Sequence, residues 1–384
     1  MSLVELAVDD LRCIERAEIR FHPGHNLVWG GNGSGKTSLL EAIFLLGRGR
    51  SFRTRNSERL IRYGRDRLVV FGRTGGAEVG GWSAADPELA VSAGAVQSGE
   101  DRSAGRQLLG QALGVQVSRA DGTTARISGA NAKSLTELTH AFPVQVIDPG
   151  IHKLLEEGGH RRRRWMDWAV FHVEHQFGDW WLRYTRALKQ RNAALRTQPG
   201  QAGVWDSELV RLGELIAAAR GRFVEALLPY WKESVVALSG LEPELHYFKG
   251  WAQDASLAEA LAASKARDES KRVTHPGPHR ADVMVRLNGR PAREVLSRGQ
   301  QKLVAVAMTL AQLHLLQDAI QATSTLLLDD PAAELDGNHL RRFIDQVLRL
   351  KSQLVLTSLQ PELQLFGKPD RVFHVEQGRV QPVV

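Results

Sequence analysis

Cysteine is almost absent. Cys13 stands alone among 384 residues, which excludes an intramolecular disulfide and suits a reducing compartment. Long apolar runs are missing too. The opening MSLVELAVDD carries acids and no extended apolar centre, unlike a secretory leader. The most apolar stretch, LVAVAMTLAQLHLL, is interrupted by Gln312 and His314, so it reads as a buried helix and not a membrane span. Repeats and low-complexity tracts are absent. A cytoplasmic protein is the expectation. Acids are in deficit: 43 Asp and Glu against 50 Lys and Arg leave a formal net charge of +7. The isoelectric point is near 9.7. That surplus favours polyanionic partners, nucleic acid first, and says nothing about fold.

What is present is ordinary globular composition, 43% hydrophobic and 24% charged, in a chain long enough for about two or three cores. VELAV and ERAEIRF predict two strands around a turn, and HNLVWG a short apolar strand running straight into glycines. SGKTSLLEAIFLLG has helical spacing at Leu39, Leu40, Ile43, Phe44 and Leu46, with Gly47 as its stop. Between Arg67 and Gly129 the runs RLVVFG, AEVGGW, ELAVSAG and VQVSRADGTTARIS predict an antiparallel sheet. PVQVID is a further strand. From Ile151 to Ser239 the spacing is helical, with TQPGQAG as the turn between two long helices. LEPELHYF and ADVMVRLNG return to strands. The C-terminal part then alternates: helix over 300–320, strand over 324–329, helix over 339–350, strands over 353–357 and 371–376.

Strand–helix alternation at both ends implies one α/β core built from two distant stretches of chain. The expected division is a head from residues 1–150 and 265–384, an α/β core with an antiparallel β subdomain. A mainly helical lobe, residues 151–264, is inserted between them.

GGNGSGKTS fits G-x-x-x-x-G-K-[ST] at Gly30, Gly35, Lys36 and Thr37, with a predicted strand before it and a helix after. Gly31, Gly33 and Gly35 let backbone N–H groups turn inward around a phosphate, and the helix N-terminus adds a favourable field. Lys36 can reach the β- and γ-phosphates of a nucleotide, and the Thr37 hydroxyl is placed for Mg²⁺. The candidate nucleotide-binding run is therefore Gly30, Gly31, Asn32, Gly33, Ser34, Gly35, Lys36, Thr37 and Ser38. Further along, STLLLDDPAAELDG is an apolar strand ending in two acids. Asp329 suits Mg²⁺ held through water, and Asp330 suits orienting or deprotonating the attacking water. Glu334 and Asp336 follow at an expected helix start, where acids suit the dipole.

The set GNGSGKTS, LSRGQQK and LLLDDPAAELD, in that order, resembles an ATP-binding-cassette head: Walker A, signature, Walker B and D-loop. The resemblance implies that Ser297, the Gly299 backbone and Gln300 contact ATP held by a second head. The long gap from Lys36 to Ser297 is unlike transporter cassettes. A long coiled-coil arm like that of the chromosome-maintenance ATPases is not supported, because no heptad can be sustained through the helical block.

The whole chain resembles the RecF family of bacterial recombination mediators. GNGSGKTSLLEAIFLLGRGRSFRT, RRRRWMDWAVFH, GPHRADVMV, LSRGQQKL and LLLDDPAAELD carry that resemblance. It implies an ATP- and Mg²⁺-dependent homodimer that binds double-stranded DNA near single-strand gaps. It further implies a RecR-type partner, help in loading a RecA-type protein, and slow DNA-stimulated hydrolysis. Three departures stand out. Asp330 replaces the usual Glu, the Gln-loop position falls to Gln145 or Asp148, and Thr357 or Ser358 stands in place of the switch His.

Three Arg-rich places, GRGRSFRTRNSERLIRYGR, HRRRRW and the residues around THPGP, suit phosphate contacts that do not read sequence. Arg53, Arg55, Arg161 and Arg162 are the candidate DNA contacts. Arg53 or Arg55 also suits the nucleotide or the partner head. Arg161 to Arg164 cannot share one helix face, so some are expected to pair with Glu156, Glu157 or Asp167. The nine Trp are read as core.

Overall fold

The computed structural model describes residues 2–75, 110–132, 134–320, 323–333, 337–361 and 367–383. The expected strands in AEVGGW and ELAVSAG, and the acids Glu334 and Asp336, lie outside them.

Strands β1 (Ser2–Leu11), buried or half-buried except at Asp9, and β2 (Ile14–Arg20), which buries Ile14, Ala17 and Ile19, form a hairpin. β3 (His25–Trp29) leads through the glycine loop into α1 (Lys36–Arg48). Gly47 does not stop this helix. It is where α1 presses on its neighbour, since a Cβ there would lie 2.6 Å from the Phe142 carbonyl and from Val144. The stop is Gly49, at φ 61°, whose N–H bonds the Leu45 carbonyl. β4 (Arg67–Gly75), β5 (Ala112–Ser118), β6 (Gly122–Ile127) and β7 (Ala130–Asn131) complete an antiparallel sheet in the order β2-β1-β4-β5-β6-β7. After α2 (Leu135–Ala141) comes β8 (Val144–Ile147).

The helical part follows: α3 (Lys153–Glu156), α4 (Gly159–Val173), α5 (Phe177–Thr197) and α6 (Asp206–Ser239). A 3₁₀ turn at Pro199–Trp205 joins the two long helices, where TQPGQAG places a turn. β9 (Glu244–Phe248) pairs antiparallel with β10 (Asp282–Leu287), with α7 (Leu257–Lys271) between them in the chain. β11 (Arg290–Pro291) extends that sheet and α8 (Ala292–Val295) follows it. A lobe of residues 151–264 would end inside α7, with β9 and its sheet partner β10 on opposite sides of the boundary.

Helix α9 (Arg298–Ile320) is long and apolar enough to cross a membrane, yet 72% of its most apolar window is buried inside the protein. Its interruption at Gln312 is a core hydrogen-bonding device: Gln312 donates to the Trp165 carbonyl and accepts from Gln145. β12 (Thr325–Leu328), α10 (Gly337–Leu348), β13 (Gln353–Ser358), β14 (Arg371–Glu376) and β15 (Arg379–Pro382) close the chain. The second sheet runs β15-β14-β3-β13-β12-β8, parallel except at β15. It joins strands from both ends of the sequence, as the alternation predicts. Leu39, Leu40, Ile43 and Leu46 of α1 fill one core with the antiparallel sheet. A second core carries α9 against α4 and α6.

Three salt bridges anchor the helical part. Arg162 makes a two-pronged contact with Asp282 at 2.9 Å. Arg220, fully buried, does the same with Asp167 and also donates to the Pro278 carbonyl. Arg191 donates to the buried Asp268.

Candidate functional site

Gly30 to Thr37 form a turn between the tip of β3 and the first residues of α1. Gly35 needs its lack of side chain: φ is 118°, and a Cβ would stand 3.1 Å from Cys13 Sγ. Cβ atoms at Gly31 and Gly33 would meet nothing within 4 Å, so those backbone segments face open space. The Lys36 side chain is buried and donates to the Gly30 and Gly31 carbonyls at 2.7 and 2.9 Å. Burial pulls its ammonium below the ordinary value, against the charges of Asp330 and Asp329. The ammonium is therefore curled inside the same loop whose amides would cradle a phosphate.

Parallel pairing of β12 with β13, and of β13 with β3, brings the acid pair to this loop. Thr37 Oγ1 lies 3.0 and 3.1 Å from the two Asp329 oxygens. Thr357, at the end of β13, places its hydroxyl 3.1 Å from Asp329 Oδ1 and accepts the Asp330 N–H at 2.9 Å. Asp330 itself has a left-handed φ of 49°. Thr37, Asp329 and Thr357 form a cluster of hard oxygen donors, the chemistry Mg²⁺ prefers.

The two Gln-loop alternatives separate cleanly. Gln145 is buried, bonded to Gln312 and Arg48, and belongs to the core. Asp148 lies beside the acid pair; burial first, then the charge of Asp329, pushes its carboxyl up. The two carboxylates line one small cavity with Lys302 of α9.

Ser297, Arg298 and Gly299 are exposed at the start of α9. Ser297 N–H donates to Gln300 Oε1, and Gln300 N–H to Ser297 Oγ, a capping box with Gln at N3. The loop is thus ordered by its own residues. Among the described residues its hydrogen bonds reach Gln300, Gln301 and His152, and none joins it to the loop around Lys36.

The four candidate DNA contacts have different environments. Arg162 is buried and committed to Asp282 and three backbone carbonyls, so it is structural. Arg161 pairs with Glu157, and Arg53 reaches the buried Glu41 at 3.7 Å. Arg55 is exposed with no ion-pair partner among the described residues. It lines a cleft of about 480 Å³ with Glu157, His160, Arg161 and Arg163. Arg164, which sequence reading did not single out, is also exposed, with no ion-pair partner among the described residues. Burial, then the charges of Arg55 and Arg161, lowers its guanidinium below the ordinary value. His160 is lowered by burial and by four arginines: Arg164, Arg55, Arg163 and Arg50. The run of four Arg in HRRRRW thus splits into structural and surface members, a split only tertiary contacts decide.

The chain matches, over residues 2–381, the family described as RecF/RecN/SMC N terminal domain. It is 37% identical to the DNA replication and repair protein RecF of Pseudomonas aeruginosa (strain LESB58), covering 99% of this chain and 97% of that one. It is 38% identical to the protein of the same name from Cellvibrio japonicus (strain Ueda107), covering 99% of each. A solved structure of the recombination mediator protein RecF with ATP, of the RecFOR pathway, superposes with a TM-score of 0.84 at 23% identity, covering 100% of this chain and 98% of that one. An Smc head bound to the C-winged helix domain of ScpA gives 0.56 at 16% identity, covering 100% of this chain and 97% of that one. The fold is that of an ABC-type ATPase head with a helical segment inserted in sequence.

Proposed function

This chain belongs to the RecF family, and on that premise we propose that it is an ATP-dependent DNA-binding protein of recombinational repair and replication restart. ATP drives two copies together, and the dimer binds double-stranded DNA near single-strand gaps. A RecR-type partner then uses it to help load a RecA-type protein. Hydrolysis is weak, DNA-stimulated and serves release. The observation that carries this reading is the exposed, self-capped signature loop, which among the described residues is bonded to nothing around its own Lys36.

In this mechanism the amides of Gly31 to Lys36 receive the phosphates at the head of α1. Lys36 leaves the Gly30 and Gly31 carbonyls for the β- and γ-phosphates, charge meeting charge. Thr37 and Asp329 would hold Mg²⁺, which when bound would supply positive charge against the phosphate oxygens. Asp330 orients the attacking water or accepts its proton. An Asp in place of a Glu reaches less far, which favours slow turnover. Thr357 fixes both acids, one through its hydroxyl and one through a backbone N–H. Ser297, Gly299 and Gln300 of the second copy close the site, aided by the N-terminus of its α9. Arg55, Arg163 and Arg164 offer a cationic surface to DNA phosphates and read no sequence.

The test compares ATP turnover with and without gapped duplex DNA, and molar mass by light scattering. Lys36→Met is expected to abolish ATP binding. Ser297→Arg is expected to keep ATP binding in the protomer and to prevent the dimer. A wild-type chain that stays monomeric with saturating ATP and DNA would refute the reading. Turnover indifferent to DNA would favour a head that serves a protein partner instead.

A further inference from the structure

Arg298 stands between the two residues of the signature loop that would face a partner's phosphate, yet its guanidinium reaches into the protein. Nη2 lies 3.1 Å from Nε2 of His152. His152 is only 3% exposed, and its other ring nitrogen, Nδ1, lies 3.2 Å from the Pro149 carbonyl. A carbonyl accepts and a guanidinium donates, so both contacts are satisfied by one state of the ring: neutral, with its proton on Nδ1. The Glu156 carboxylate also lies 3.5 Å from Nε2.

The turn that His152 closes begins at Asp148, whose carboxylate lines the small cavity beside Asp329. Lys302, four residues after Arg298 on α9, lines that same cavity. Residues 148–152 are therefore held at one end by the acid site and at the other by the signature helix of the same chain. Sequence placed 146 residues apart meets here through one buried imidazole.

We propose that His152 is a positioning residue that ties the signature loop of each protomer, through Arg298, to that protomer's own Asp148–Asp329 site. The inference rests on the reading that Ser297 and Gly299 contact ATP held by a second copy. A phosphate engaging those two residues favours one position of the start of α9 over others, and Arg298 moves with it. Through Nε2, the ring and Nδ1, that displacement reaches the Pro149 carbonyl and the adjacent Asp148. Linkage makes the effect reciprocal, so occupancy of a protomer's own nucleotide site biases how its signature loop meets the partner. The two ATP sites of a dimer would then communicate through each subunit's interior as well as across the interface.

The experiment uses the full chain and three variants. His152→Asn keeps an N–H where Nδ1 stands and offers nothing where Nε2 stands. His152→Gln returns an amide to the place of Nε2. Arg298→Ala removes the donor. ATP affinity of dilute protomers, ATP-driven dimerisation, melting temperature and the ATP dependence of turnover are measured on each. Wild type is expected to show cooperative turnover. His152→Asn and Arg298→Ala should each bring the Hill coefficient down to about 1, with unchanged protomer affinity for ATP. The double variant should be no worse than either single one, and His152→Gln should recover cooperativity. A merely structural His152 would lower the melting temperature and leave the Hill coefficient alone, which overturns the proposal. Additive losses in the double variant overturn it too, because Arg298 would then act on the partner's phosphate without His152. Wild type that fails to dimerise with ATP removes both this inference and the reading beneath it. Wild type that dimerises with a cooperative response untouched by His152→Asn removes this inference alone.

Discussion

Thr357 carries more of the acid site than its size suggests. Its side chain is fully buried, and its single hydroxyl serves Asp329 Oδ1 and the Asp330 N–H together. Valine has the same shape without the hydroxyl. Thr357→Val would leave a buried N–H and a carboxylate oxygen short of a partner, a loss of about 1–3 kcal/mol. Spent on the position of the acids, that is roughly a five- to hundredfold drop in single-turnover hydrolysis. Lys36 and the loop amides are untouched, so ATP affinity should stay within about twofold of wild type. Thr357→Ser, which keeps the hydroxyl, should retain most of the rate. Equal losses in affinity and rate for the valine variant would show that Thr357 supports the fold of the site and not the acids.

At the scale of elements, the turn from Thr274 to Arg280 shows how a motif without chemistry of its own holds structure. His279 accepts from Tyr184 OH at Nδ1, 2.8 Å away, and donates from Nε2 to the Thr274 carbonyl. Burial pushes its pKa from 6.5 down to about 4. The folded state keeps the ring neutral where the unfolded chain would protonate it. The contribution is therefore complete above pH 6.5 and is lost as pH falls towards 4. Within that window one such group adds a slope of up to roughly 1.4 kcal/mol per pH unit. His279→Gln keeps a donor near Thr274 and cannot titrate. Urea unfolding of the variant should show a shallower loss of stability across this window than wild type, and parallel curves would rule out the assignment.

The same turn shows where sequence reading reaches its limit. GPHRADVMV supports a family resemblance, but nothing in it says that Asp282 receives Arg162 from 120 residues away. The local signals fare better. The glycine loop lies between one strand and one helix, the acid pair lies at the end of one apolar strand, and the structure forms those elements where the patterns predict them. Helix α7 is an instructive omission, because its capping box, Ser256 with Glu259, is local and visible in the run SLAE. Gly47 misleads for the opposite reason. Glycine there answers a neighbour, Phe142, and not the local helix stop that its type suggests.

For the whole molecule, the basic surplus is not spread evenly. Arg162, Arg191 and Arg220 are themselves buried and each is absorbed by an aspartate, and Arg53 and Arg161 are tethered to glutamates. The charge left over gathers where the loop after α1 meets the start of α4, with Arg55 and Arg164 within reach of each other's charge, both exposed and unpaired among the described residues. Repulsion among those guanidiniums is a cost that a polyanion would relieve. Each DNA phosphate neutralised contributes about 0.9 to the slope of log affinity against log salt. The double variant Arg55→Ala/Arg164→Ala should therefore bind gapped duplex more weakly at low salt and flatten that slope by roughly 2. ATP affinity should be unchanged. Arg162→Ala is the contrasting control: it withdraws the partner of Asp282 from inside the fold, so it should lower the melting temperature and leave the slope per folded molecule intact. An unchanged slope in the double variant, with ATP-driven dimers still forming, would move the DNA to another face of the molecule while leaving the nucleotide site as described.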